Sequence, residues 1–235
     1  MALPKLDQPT YTLIVPSTDN EITYRPFVVK EEKILMMAQQ DGEPESITRA
    51  TKQVISNCIV SGDLDVNSMT SFDVEYIFIQ LRARSMGETI DLVSSCEECE
   101  ASIDFQININ DVVVTKKDGL SNNIKLTDEV GIIMRWPEVD DMVNIDSSLG
   151  EIEQAFALVA TCTQQIYDAS TVYDSKDLSR KEIEEWVGDL AQDQFFMIRD
   201  FFDNMPKVTL TTNITCGSCG HETSRTLEGL KNFFG

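Results

Sequence analysis

Alternating and helical patterns of apolar residues divide the chain into short elements. Residues 11–29, YTLIVPSTDNEITYRPFVV, read as two short strands around a Pro-Ser-Thr-Asp-Asn turn, the second interrupted by Pro26. Residues 30–40 read as a helix with acids early and Ile34, Leu35 and Ala38 on one side, broken by Asp41-Gly42. A second helix is predicted from Pro44 to about Cys58, with Val54, Ile55 and Cys58 on one face. Residues 72–86 carry apolar residues at 74, 77, 78 and 81, a helical stripe closed by Met86-Gly87. Ile103, Phe105, Ile107 and Ile109 then alternate with polar residues, the mark of a strand with one buried face. Residues 122–137 continue in β character up to Pro137.

The rest of the chain turns helical before a last β segment. Ser148 and Glu151 form an S-x-x-E capping signal ahead of a helix through EIEQAFALVATCTQQIY, and Ser179 and Glu182 repeat it before one long helix to Met205. Ile183, Trp186, Val187, Leu190, Met197, Ile198 and Phe201 make a broad apolar stripe there, widened by Phe195, Phe196 and Phe202. Pro206 stops the helix, and KVTLTTNIT reads as a strand. The predicted class is α+β. Its expected parts are an N-terminal β segment plus helices (1–88), a β element in two pieces (89–137 and 206–235), and a helical insertion (138–205). No internal repeat is visible beyond two similar cysteine units.

Those units carry the chemistry. Cys96-Glu97-Glu98-Cys99 and Cys216-Gly217-Ser218-Cys219 each lie between extended segments, with 116 residues (100 to 215) between Cys99 and Cys216. Two such knuckles facing each other make a zinc ribbon, in which four thiolates hold one tetrahedral Zn²⁺ at about 2.3 Å. Cys96, Cys99, Cys216 and Cys219 are therefore the expected ligands of a structural zinc, in a ribbon split by the helical insertion. Gly217 and Gly220 suit a tight turn that needs positive φ. A redox C-x-x-C opens a helix within a βαβ unit, a context missing at both pairs, and Glu97-Glu98 disfavours a thiolate. Disulfides need an oxidising compartment, and the N-terminus shows no secretory signal. Cys58 and Cys162 lie on helical apolar faces and read as small buried hydrophobes. His221, the single histidine, reads as a surface residue or a neighbour of the ligands, with replacement of a cysteine as the alternative.

Composition narrows the function. Hydrophobic residues at 42% and charged residues at 25% are the balance of an ordinary globular chain. No run approaches the ~18–20 apolar residues that span a bilayer. With 19 Lys+Arg against 40 Asp+Glu, the net charge of −21 repels phosphate backbones, so nucleic acid is excluded as a direct partner. One histidine leaves no Ser-His-Asp or Cys-His arrangement, and no glycine-rich phosphate loop is present. No catalytic residue and no small-molecule substrate is assigned, and the chain is read as a non-enzyme.

Two stretches bear a family likeness. Residues 13–40, with Tyr24-Arg25-Pro26-Phe27 followed by Lys30-Glu31-Glu32-Lys33, are one. Residues 72–99, with Arg82, Arg84, Ser85 and Gly87-Glu88 ahead of the cysteines, are the other. They resemble the baseplate hub and tail-assembly protein family of T-even-like contractile-tailed bacteriophages. The later part matches mainly through its second C-x-x-C. The resemblance implies a baseplate hub component of the virion tail, assembled in the host cytoplasm and acting through contacts with other tail proteins such as the hub or tape measure. Its alternatives are a tail-assembly chaperone absent from the finished particle and a cell-wall-degrading enzyme. Arg25, Lys30 and Lys33 are read as salt-bridge partners of neighbouring acids.

Overall fold

A computed structural model of the protein describes residues 6–146 and 148–229. They form two compact units, one of residues 6–115 with 207–229, the other of Lys116–Pro206. Helices and antiparallel strands are mixed throughout, an α+β fold.

The first half begins with a hairpin of β1 (Tyr11–Ile14) and β2 (Glu21–Tyr24). Helices α1 (Val29–Asp41) and α2 (Pro44–Cys58) follow, then β3 (Ile59–Ser61), which pairs with β2 to complete a sheet of order β1-β2-β3. Helix α3 (Ser71–Met86) is capped by Thr70, whose side chain accepts from the Asp73 N–H. Val74, Ile77 and Leu81 are buried as their spacing predicts, whereas Phe78 is half-buried and Ile79 is buried in addition. A second hairpin, β4 (Thr89–Ser95) with β5 (Ser102–Asn108), encloses the first cysteine pair, and a short β6 (Val113–Thr115) closes the half.

The second half repeats this order. Hairpin β7 (Asn123–Lys125) and β8 (Gly131–Met134) lead to α4 (Val139–Asn144), α5 (Glu151–Cys162) and β9 (Thr163–Tyr167), which pairs with β8. An added strand β10 (Val172–Asp174) makes the sheet β10-β9-β8-β7. Helices α6 (Arg180–Gly188) and α7 (Gln192–Asp203) stand where α3 stood. The hairpin β11 (Lys207–Thr215) and β12 (Glu222–Glu228) then encloses the second cysteine pair.

The same latch closes both ββααβ modules. The Arg25 N–H donates to the Cys58 carbonyl at 2.9 Å, and its guanidinium donates to the carbonyls of Asn57 and Pro26, each at 2.9 Å. It also pairs with Glu31 at 3.0 Å, whose other oxygen accepts the Val28 N–H. Arg135 does likewise: its N–H donates to the Cys162 carbonyl, its guanidinium to the carbonyls of Thr161 and Trp136. Its partner is Asp141, which accepts the Glu138 N–H. In each module an arginine thus serves the last carbonyls of a helix, where the helix itself offers no donor and its dipole is negative. Burial pushes the Glu31 carboxyl up, but Arg25 and the Val28 N–H outweigh it and hold the group below its ordinary value. A buried carboxylate is tolerated only with such partners. The reading of Arg25 and Lys30 as salt-bridge residues agrees with this, since both meet Glu31.

Three local expectations differ from the structure. Residues 163–167 leave the helix and form β9, because Arg135 ends α5 at Cys162 and the following residues include β-branched Thr163 and Ile166. The long helix expected to Met205 is two helices. Asp189 closes α6 through its N–H, and the Gln194 side chain accepts the Ala191 N–H to start α7. Ser148 does not cap α5; Gly150 holds that place. The Ser179–Glu182 box forms as predicted. The stripe of α6 and α7 is buried through Ile183, Val187, Ile198 and Phe201 against Ile132 and Met134, with Trp136 stacked on Phe201 at 4.1 Å, whereas Phe196 and Met197 are exposed.

Candidate metal centre

The two cysteine hairpins are superimposable in register. Ser95 faces Ser102 in one and Thr215 faces Glu222 in the other, leaving six residues in each turn. The Cys96 N–H donates to the Ala101 carbonyl at 2.9 Å, and the Cys216 N–H donates to the His221 carbonyl at 2.8 Å. The Cys96 carbonyl accepts from Glu100 and the Cys216 carbonyl from Gly220, at 3.0 and 2.9 Å. At that fifth residue of the turn the chain takes positive φ, 76° at Gly220 and 58° at Glu100. Glycine adopts this freely, whereas a residue with a side chain is strained by about 1 kcal/mol or more. Gly217 does not adopt positive φ, so only one of the two glycines singled out in the sequence is needed for its conformation.

The knuckles face each other. Cys96 Sγ lies 3.7 Å from Cys219 Sγ, and Cys99 Sγ lies 3.6 Å from Cys216 Sγ. All four sulfurs fall within 4.8 Å of one another. A tetrahedron with zinc–sulfur bonds of about 2.3 Å has edges of about 3.8 Å, whereas a disulfide is about 2.05 Å. The spacing is compatible with a metal site. Cys96 and Cys216 are buried on Ile103 and Ile214, with Ala101 and Phe105 packed alongside, while Cys99 and Cys219 are exposed. Arg225 staples the hairpins together: its guanidinium donates to the Ser95 carbonyl at 3.2 Å and pairs with Glu97 at 3.1 Å.

Backbone donors are aimed at the sulfurs. The N–H groups of Cys219 and Ser218 point at Cys216 and pull its thiol down to about 6. The Ala101 N–H acts on Cys99 in the same sense, but contact with the thiols of Cys219, Cys216 and Cys96 outweighs it and pushes that group up. Cys99, Cys216 and Cys219 thus compete for the same negative charge, a conflict that a cation bound among the thiols removes. His221 contributes through its backbone, with its carbonyl on the Cys216 N–H and its N–H on the Cys219 sulfur. Cys58 and Cys162 are fully buried as expected. Burial pushes their thiols up to about 11 and about 12, which keeps them neutral and unreactive.

Sequence reasoning located the four cysteines and missed what surrounds them. Glu100 in the glycine-like position, Arg225 across the hairpins and the two arginine latches had no motif to announce them. The arginine-to-acid spacing of six residues, repeated from Arg25–Glu31 to Arg135–Asp141, was the available signal.

Among the described residues, no helix is long and apolar enough to cross a membrane. No curated protein and no solved structure matches the chain. A protein family does: residues 8–235 match the family described as T4 bacteriophage base plate protein. The match covers both modules and both cysteine hairpins, and membership implies a place in the virion tail among other phage tail proteins. The chain belongs to the T4 bacteriophage base plate protein family.

Proposed function

We propose that the protein is a non-enzymatic component of the baseplate hub that works through protein–protein contacts and is braced by one structural Zn²⁺. Cys96, Cys99, Cys216 and Cys219 are its ligands, and the two hairpins form a zinc ribbon whose halves are separated in sequence by the unit Lys116–Pro206. The observation that carries this reading is the convergence of four sulfurs within 4.8 Å of one another, two of the pairs at 3.6 and 3.7 Å, close to a tetrahedral edge. Soft thiolates in a tetrahedral set select zinc or iron among biological metals. Four protein ligands leave no coordination position for substrate or water, so the ion holds the fold and supplies no reaction. It ties the β4–β5 hairpin to β11–β12 across more than a hundred residues of chain, giving a rigid piece suited to an assembly.

The protein is made in the host cytoplasm and incorporated into the baseplate. Quantitative mass spectrometry of purified virions tests the role. A resident hub subunit appears at a fixed stoichiometry with the other baseplate proteins. Its absence from particles whose assembly requires it would replace this reading with that of a tail-assembly chaperone.

A further inference from the structure

The equivalence of the two cysteine hairpins exposes a difference between them. Cys96 and Cys216 stand 120 positions apart, and that offset holds along both hairpins: the Ile109 N–H donates to the Glu88 carbonyl, and the Gly229 N–H donates to the Val208 carbonyl. In an antiparallel pair, alternate residues turn their backbone groups toward the partner and the rest turn them away. With Glu88 and Cys96 bonded inward, the N–H and C=O groups of Thr89, Asp91 and Val93 point out from β4, on the side away from β5. In β11 the residues so placed include Lys207, Thr209, Thr211 and Asn213; β6 covers the first two, pairing Lys207 with Thr115 and Thr209 with Val113, so that the covered stretch matches the start of β4 at Thr89. Among the described residues no strand covers β4; its sheet has two strands, where that of β11 has three.

We propose that the outer edge of β4 is a docking edge for an extended, basic segment of a neighbouring protein, which adds antiparallel to β4 as β6 adds to β11. An uncovered edge is a template for pairing, and natural proteins commonly guard it with lysine, proline or a bulge. This edge carries no lysine, proline or bulge of its own, and a cation meets it only at its knuckle end, where the Arg225 guanidinium donates to the outward Ser95 carbonyl. Its register is unbroken from Thr89 to Ser95, and Val93 stands 70% exposed upon it. Charge selects the occupant. Between Arg84 and Lys116 the chain has no lysine or arginine, against acids at 88, 91, 97, 98, 100, 104 and 111. Asp91 on β4 and Asp104 on β5 are both exposed. A second copy of the chain, also at −21, brings like charge to the edge and is disfavoured, whereas a strand bearing lysine or arginine is attracted. The sequence of β6 with its continuation, Val-Val-Val-Thr-Lys-Lys (residues 112–117), has this chemistry.

This adds a contact site to the proposed role as a protein-contact component, and it is read separately from the metal. The probe is a synthetic hexapeptide of sequence VVVTKK, titrated into the full-length, zinc-loaded, ¹⁵N-labelled protein. The expected result is saturable shifts centred on the amides of Thr89, Asp91 and Val93, with affinity that falls as salt is raised. Val93→Pro removes an outward N–H without touching the β4–β5 ladder. It is expected to weaken binding at least tenfold while zinc content stays the same. Should that variant misfold, Asp91→Asn, which keeps an acceptor for the Gln106 amide, is expected to weaken binding through charge alone. Absence of shifts, shifts centred elsewhere, or binding indifferent to both variants would overturn the proposal. So would concentration-dependent self-association abolished by Val93→Pro, which would give the edge to a second copy.

Discussion

Replacing Glu75 by glutamine is expected to stabilise the protein in a pH-dependent way. Glu75 lies on α3, half-buried near Gly229. Burial, and then the neighbouring charge of Glu228, raise its carboxyl from 4.5 to about 7. The folded state therefore binds a proton that the unfolded chain releases between those two values. Below about pH 4.5 both states are protonated and Glu75 carries no penalty. Above about pH 7 the folded state must hold a charge in a poorly solvated place, and the full penalty applies. Each pH unit between the two values is worth about 1.4 kcal/mol, which sets a ceiling of about 3 kcal/mol. Lys207, paired with Glu228 at 3.0 Å, reduces the repulsion part of it. Glu75→Gln is thus expected to gain about 1–3 kcal/mol at pH 8 and nothing at pH 4.5. Urea unfolding of both proteins across that range reads the difference, and any effect of acid on the metal is common to both. A constant difference at all pH values, or a loss of stability at pH 8, would refute the burial of this carboxyl against the second cysteine hairpin.

Further outcomes follow from the site and the modules. Cys99→Ser is expected to lower zinc affinity and destabilise the fold, because binding free energy is folding free energy in such sites, while Cys162→Ser leaves zinc content unchanged; equal content in both variants would contradict the ligand assignment. Arg25→Ala leaves the buried Glu31 with only Lys30 and the Val28 N–H as partners and is expected to cost about 3 kcal/mol. Arg135→Ala should cost less, since Arg135 and Asp141 are more exposed than Arg25 and Glu31, and denaturant titration of both gives the order. Phe201→Ala removes the ring stacked on Trp136 and is expected to cost about 3–5 kcal/mol by the same measurement.

The cysteine cluster was legible because C-x-x-C between alternating segments is a local pattern, and Ile103 to Ile109 announced its strand by period alone. Helices α2 and α3 were legible for the same reason. The break between α6 and α7 was not, since the apolar stripe runs through it and the start of α7 is capped by Gln194 and not by Ser, Thr, Asp or Asn. The duplicated module was hidden deeper. Its latch is written in one arginine, one acid six residues on and a cysteine at a later helix end. Loop lengths differ between the copies, 110 positions separating the arginines (25 to 135) and 104 the cysteines (58 to 162). The two acids differ as well, Glu31 in one copy and Asp141 in the other. Hydrogen bonding to the same backbone groups makes these residues equivalent, and sequence pattern does not display it.

The most direct measurement is the metal content of the full-length protein, purified under reducing conditions without chelator and analysed by native mass spectrometry with elemental analysis. The account predicts one zinc per chain, bound with the loss of thiol protons. Protein that is folded yet metal-free, or that carries iron in place of zinc, would contradict it.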